Sequence, residues 1–198
     1  NNIIKAVSIL SIKKVLYVSS DAVYSDSKNP ITEESNTEPK NLHGIMHLTR
    51  EVMLMQIPNL NLSILRPTLI YGLEDPHNGY GPNKFFKLAN ENNEISIFGK
   101  GEELRDHVCI NDVATIMLNM ILSNNTGILN IASGEVVTFK YIATLIKKFY
   151  KDKIAIKEIQ RLGDIPHGGY RSFNIEKLHK LYPEIIPKKI QEGLETYF

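Results

Sequence analysis

The sequence predicts an α/β fold with a largely parallel sheet, and two observations carry that prediction. Short runs rich in β-branched and aromatic residues, among them "VLYVSS" (15–20), "LNLSILRP" (60–67) and "GILNIAS" (127–133), end in small polar residues or proline, the pattern of buried strands. Segments with helical apolar spacing lie between them, and strands alternating with helices build parallel sheets.

The elements follow in order. The opening "NNIIKAVSILSIKK" reads as a helix feeding a strand but carries no cap, which suggests a trimmed or partial chain. After the strand at 15–20, residues 25–41 are polar with two prolines and read as a loop. Leu42, Ile45, Met46, Val52, Met53 and Met55 give residues 41–56 a helical pattern that "IPN" stops. The strand at 60–67 closes on proline, and the Gly/Pro-rich stretch 68–83 reads as a long loop. "KFFKLANE" predicts a short helix, and "ISIFG" and "HVCI" predict strands. "NDVATIMLNMILS" predicts an apolar helix capped by Asn111 or Asp112. Beyond the strand at 127–133, Thr138 caps a predicted helix, "KIAIKEI" predicts a strand, and 175–181 and 188–197 read as helical.

Composition excludes several classes. The 198 residues hold 23 basic and 22 acidic side chains, a formal net charge of +1, which gives no electrostatic basis for binding nucleic acid or an anionic membrane. No apolar run approaches the roughly 20 residues of a membrane span. One cysteine, Cys109, excludes an internal disulfide and suits a reducing cytoplasm; within a predicted strand it reads as a small buried hydrophobe.

Five separated pieces then line up. "VLYVSSDAVY", "LRPTLIYG", "GYGPNKFF", "GKGEELRDHVCINDVA" and "GILNIASGEVVT" resemble, in order and spacing, the extended short-chain dehydrogenases/reductases of the NAD-dependent epimerase/dehydratase family of nucleotide sugars. The resemblance implies the second half of a doubly wound, Rossmann-type parallel sheet with a smaller α+β substrate-binding domain. It assigns 1–72, with 107–133 returning, to the NAD(P)-binding domain, and 73–106 and 134–198 mainly to the substrate domain. The family opens with a Gly-rich turn that holds the dinucleotide pyrophosphate at a helix N-terminus, and no such motif occurs among the 12 glycines. By the resemblance, roughly the first 100 residues of the doubly wound fold are missing. Such a half exposes the edge of "VLYVSS", so a homodimer or association with a missing N-terminal segment is expected.

The resemblance also implies a site. In that family a tyrosine and a lysine four residues apart share a helical face. The lysine lowers the tyrosine pKa and holds the nicotinamide ribose, and the phenolate takes a proton from a sugar hydroxyl as hydride leaves. Ser20 matches the serine that orients this hydroxyl, and Pro39 matches the proline preceding the tyrosine. His43 therefore takes the tyrosine position and His47 the lysine position. Ser20, His43 and His47 become the catalytic candidates, with Ser19, His47 and Pro67 toward NAD or NADP. An ordinary imidazole, with a pKa of about 6.5, accepts protons at neutral pH. Two imidazoles do not, however, reproduce a lysine's field, and an ångström of lost reach costs about a hundredfold in rate. A working histidine site and a binding module without turnover both stay open.

His43, His47 and Glu51 share a face, but neither H-E-x-x-H nor a Cys/His cluster accompanies them, so no metal is assigned. The resemblance points Asp21, Asn83, Arg105, Arg161 and Arg171 toward a nucleotide-sugar substrate. The alternatives are a turn aspartate for Asp21, a helix cap for Asn83, a salt bridge to Asp106 or Asp112 for Arg105, and solvent for Arg161 and Arg171. Tyr24 and Tyr71 read as core aromatics or substrate contacts, with Tyr24 favoured for the core. Ala22 interrupts the acidic pair that related dehydratases carry after the serine, which disfavours sugar dehydration.

Overall fold

The structure, a computed structural model, describes residues 2–10, 12–72, 75, 79, 81–92 and 94–197. Helix α1 (Asn2–Ile9) leads into β1 (Lys14–Val18), which pairs in parallel with β2 (Asn61–Pro67). A 3-10 turn at Asp21–Val23 follows β1, capped by the Ser20 side chain, which accepts the Ala22 N–H. Helix α2 (Leu42–Met55) crosses between the two strands and begins at Asn41, whose side chain accepts the Gly44 N–H.

Strand β3 (Leu69–Tyr71) follows β2, then α3 (Gly81–Asn92), β4 (Glu94–Phe98) and β5 (Leu104–Cys109). Helix α4 (Ile110–Leu122) leads to β6 (Gly127–Ile131), which pairs in parallel with β2 and completes a sheet ordered β1-β2-β6. A short β7 (Val136–Thr138) runs antiparallel to β5, and α5 (Phe139–Phe149) starts from the Thr138 cap. Strand β8 (Ala155–Ile159) pairs with β4, and β9 (Tyr170–Arg171) pairs with β5, which also holds β3. Helices α6 (Glu176–Leu181) and α7 (Ile190–Glu195) finish the described chain.

Some boundaries differ from the sequence expectation. The stretch read as one long loop contains β3, because Leu69–Tyr71 finds parallel partners in His107–Cys109. Residues 73, 74, 76–78 and 80 of that stretch lie outside the described residues. Helix α3 starts at Gly81, so Asn83 sits inside its first turn and not at its cap. Cys109 is fully buried at the end of β5, as expected, and its Sγ contacts the Tyr197 hydroxyl at 3.1 Å.

Helix α2 reverses the ordinary logic of an amphipathic helix. The apolar residues that reveal it, Leu42, Ile45, Met46, Val52, Met53 and Met55, are exposed, while its buried residues are Gly44, Glu51 and Leu54. Glu51 is completely buried and receives Arg66 of β2 through two contacts, Nε to Oε1 at 3.0 Å and Nη2 to Oε2 at 2.5 Å. The Ser19 hydroxyl also donates to Glu51, and the Arg66 guanidinium lies 4.7 Å from the Tyr24 ring centre. Tyr24 in turn donates to Asn130 of β6 at 2.7 Å. Burial works against the Arg66 charge, but its hydrogen bonds to Glu51, its interaction with Tyr24 and the Glu51 charge together outweigh that and hold its pKa above the usual arginine value. Burial pushes the Tyr24 hydroxyl up to about 12, so it remains a donor.

Removing one partner of a buried pair strands the other charge, at a cost of about 3–5 kcal/mol. Arg66→Met is therefore expected to lower the urea-unfolding free energy by roughly that amount. Glu51→Leu/Arg66→Met should recover most of it, since well-packed apolar replacements avoid the stranded charge.

Candidate functional site

The carboxyl ends of β1 and β2, where open α/β sheets place ligands, bring the histidine helix against the serine turn. Positions 43, 47 and 51 of α2 lie at i, i+4 and i+8, one face of a helix. Glu51 anchors the end of that face in the sheet, so His47 and His43 continue it outward over β1. His43 Nε2 lies 3.3 Å from Ser20 Oγ, and His47 Nδ1 shares a 2.8 Å hydrogen bond with the Tyr17 hydroxyl. The two imidazole rings meet edge to face with centres 4.6 Å apart.

Gly44 makes this approach possible. A Cβ there would stand 2.2 Å from the Ala22 carbonyl oxygen and 2.7 Å from Pro39 Cβ, so any side chain would lift the helix off the serine turn. Pro39 and Ala22 thus close on Gly44, the residue next to His43.

Two cavities share this corner. One, of about 480 Å³, is lined by Ser20, His43, Lys84, Glu103, Arg105 and Arg161 among others. The second, of about 570 Å³, is lined by Ser19, Ser20, His43, His47, Pro67 and Asn83 among others. Ser20, Asp21 and His43 face both.

In the lining of the first cavity, Arg105 and Arg161 converge on Glu103. Arg161 Nη2 lies 2.5 Å from Glu103 Oε1 and Arg105 Nη2 lies 3.3 Å from Oε2. Arg105 also donates to the Pro166 carbonyl at 3.3 Å. Burial lowers the Arg105 pKa, against the pull of Glu103. The expected partners of Arg105 are engaged elsewhere. Asp106 accepts from Ser133 and Gly134, and Asp112 pairs with Lys188 at 2.9 Å.

Asp21 and Arg171 are bound to each other, Nε to Oδ2 at 2.8 Å, with the guanidinium also donating to the Asp21 carbonyl. Arg171 is 2% exposed and lines neither cavity, and its bonds to Asp21 brace the serine turn. Asn83 accepts the Gly72 N–H at 3.1 Å and donates to Asp75 at 2.9 Å, holding the segment after β3. Tyr71 and Tyr24 are both buried, and Tyr71 packs where Gly193 leaves no room for a side chain.

Several site residues escape the sequence reading. Glu103 stands two before Arg105, and that spacing puts both on one face of an extended segment, so its pairing was legible in principle. Tyr17 likewise stands two before Ser19, but nothing in the sequence selects it as the His47 partner. His167, with φ of +54°, lines the first cavity and bonds Asp26 at 2.5 Å; only its neighbours Gly168 and Gly169 signal an unusual turn.

A protein-family model described as the NAD dependent epimerase/dehydratase family matches residues 1–132. The chain is 29% identical over 147 residues to an ADP-L-glycero-D-manno-heptose-6-epimerase of Fusobacterium nucleatum, covering 65% of this chain and 44% of the relative. It is 29% identical over 180 residues to a protein of the same description from Brachyspira hyodysenteriae, covering 85% and 56%. The chain thus spans about half the length of the curated relatives it matches. Among solved structures, a UDP-N-acetylglucosamine 4-epimerase from Methanobrevibacter ruminantium, in complex with UDP-N-acetylmuramic acid, superposes with a TM-score of 0.86 at 23% identity. That match covers 99% of this chain and 66% of the other, and it shows the shared fold.

Desolvation lowers the His47 pKa, and the neighbouring His43 and Arg50 charges lower it further. The sign follows from proton counting: below about 6.5 the unfolded imidazole binds a proton that the folded one refuses. His47 therefore takes stability away as pH falls below that value and contributes nothing above it. In a side-chain NMR titration His47 should titrate below free histidine and move toward it in His43→Gln; titration at or above the free value would contradict the desolvated placement.

Proposed function

The chain belongs to the NAD-dependent epimerase/dehydratase family, and from that premise we propose that it carries the sugar-binding and proton-transfer part of an enzyme that epimerises or reduces a nucleotide-activated sugar. The observation that supports this most is the meeting of the two cavities at Ser20 and His43. A sugar entering from the arginine side would present a hydroxyl there. In this reading Ser20 orients the hydroxyl and His43 Nε2 takes its proton, because the serine oxygen already lies within reach of that nitrogen. Arg105 and Arg161 grip the diphosphate through their planar forks. Asp21 and Arg171 act indirectly, fixing the serine turn, and Asn83 shapes the adjoining wall.

The second cavity fits the nicotinamide end of a dinucleotide. It opens at the carboxyl ends of β1 and β2, with Ser19, His47 and Pro67 in its lining. When bound, NAD or NADP would supply the hydride acceptor. The chain's own residues close one wall around the sugar carbon and keep the proton at Ser20 and His43. Residues 1–72 with 107–133 form the nucleotide part of this proposal, and 73–106 with 134–198 the sugar part. Pairing of β6 with β2, and of β4 with β8, supports that division, while β5 spans it by pairing with β3 as well as with β7 and β9. The setting proposed is cytoplasmic. A homodimer, or a further segment along the β1 edge and the exposed apolar face of α2, completes the assembly.

A specific observation supports a second reading, a sugar-nucleotide-binding module without turnover. His47 is bonded to Tyr17 and held toward its neutral form, so it does not supply the positive charge that a lysine brings to this position.

The test uses the native gene product with NAD and UDP- or ADP-sugars. His43→Ala should lower kcat by about 10²–10⁴-fold, the usual worth of a positioned acid–base group, with dinucleotide binding retained. Arg105→Ala should weaken nucleotide-sugar binding. Unchanged turnover in His43→Ala would overturn the base assignment, and unchanged affinity in Arg105→Ala would overturn the diphosphate assignment.

A further inference from the structure

The anion end of the first cavity contains a buried carboxylate of its own. Glu103 is 6% exposed, and each of its oxygens faces a different arginine. Lys84 and Arg161 both approach the Phe98 ring, at 5.7 and 5.8 Å from its centre, and all of these residues line the same cavity. Two arginines thus hold one carboxylate, with Lys84 lining the same cavity, in the space assigned to a diphosphate.

The arginines are not satisfied by this arrangement. A guanidinium offers five N–H donors. The Nε–H groups of both Arg105 and Arg161 are buried and have no hydrogen-bond partner among the described residues. Glu103 engages one terminal nitrogen on each fork and leaves donors over. A carboxylate whose only task was to position the two arginines would also repel the anion they are meant to hold, because like charges brought together at a binding site cost affinity.

We propose that Glu103 is a specificity-determining residue, a built-in carboxylate that shares the Arg105–Arg161 cradle with an incoming diphosphate and holds its affinity down. The inference rests on the proposed diphosphate role of the two arginines. Of the charged side chains lining the cavity, Asp21 is paired with Arg171 and Glu103 offsets one of the charges of Lys84, Arg105 and Arg161, which leaves a surplus of two, suited to a sugar-linked diphosphate carrying two negative charges. Free pyrophosphate or a nucleoside diphosphate, with more charge on its terminal group, meets the carboxylate's repulsion most strongly. The residue would thereby favour the sugar-linked substrate over the free nucleotide.

Calorimetry on the full chain, with inorganic pyrophosphate and ADP as probes, tests this. Glu103→Gln keeps the side chain's shape and removes its charge, and should tighten binding of both probes by about tenfold or more. Glu103→Ala should move affinity in the same direction, which keeps the test informative where one variant folds poorly. If the wild type binds the probes and both variants bind equally or more weakly, Glu103 only positions the arginines and the inference fails alone. Failure of wild type and variants alike to bind either probe would overturn the diphosphate cradle and this inference together.

Discussion

The buried pair of Glu51 and Arg66 determines where everything else at the site can stand. A fully buried glutamate is tolerable only with its charge matched and its oxygens bonded. Arg66 from β2 and Ser19 from the end of β1 meet both conditions. The pair therefore ties one helix to two parallel strands at a single point. His47 and His43 stand one and two turns away along that same face, so their height above the sheet follows from the register of Glu51. Tyr24 and Asn130 extend the network to β6 and join all three strands of the sheet to it.

Charge is distributed around the cavities in a consistent way. Close to the serine turn, Arg171 is neutralised by Asp21 and lies out of reach of solvent. In the first cavity, Arg105 and Arg161 share one carboxylate and keep spare donors. Among the described residues, Asp21 at the serine turn is thus matched by Arg171, while Arg105 and Arg161 share a single carboxylate.

Much of the fold was legible because buried parallel strands announce themselves as apolar runs, and β1, β2 and β6 fall within a residue or two of their expected bounds. Strand β3 was not legible: three residues between proline and a Gly-rich stretch carry too little pattern, and only pairing with β5 makes them a strand. Helix α2 was found through residues that prove to be exposed, while its buried face is marked by a glycine and a glutamate that no apolar periodicity detects. At the site, motif spacing led to Ser20, His43, Arg105 and Arg161, all of which face the cavity. It did not reveal that Arg171 and Asp21 satisfy each other, because they lie 150 positions apart, nor that Tyr17 occupies His47. Such pairings depend on tertiary geometry that single-sequence spacing does not encode.

We propose that a sugar hydroxyl sits at the Ser20–His43 corner while the arginines hold its diphosphate. A crystal structure of the native gene product with NAD and a UDP- or ADP-sugar tests it most directly. The account predicts a sugar hydroxyl about 2.6–3.2 Å from both Ser20 Oγ and His43 Nε2, with phosphate oxygens on Arg105 and Arg161. A sugar bound with no hydroxyl near that pair, or a diphosphate held away from both arginines, would contradict it.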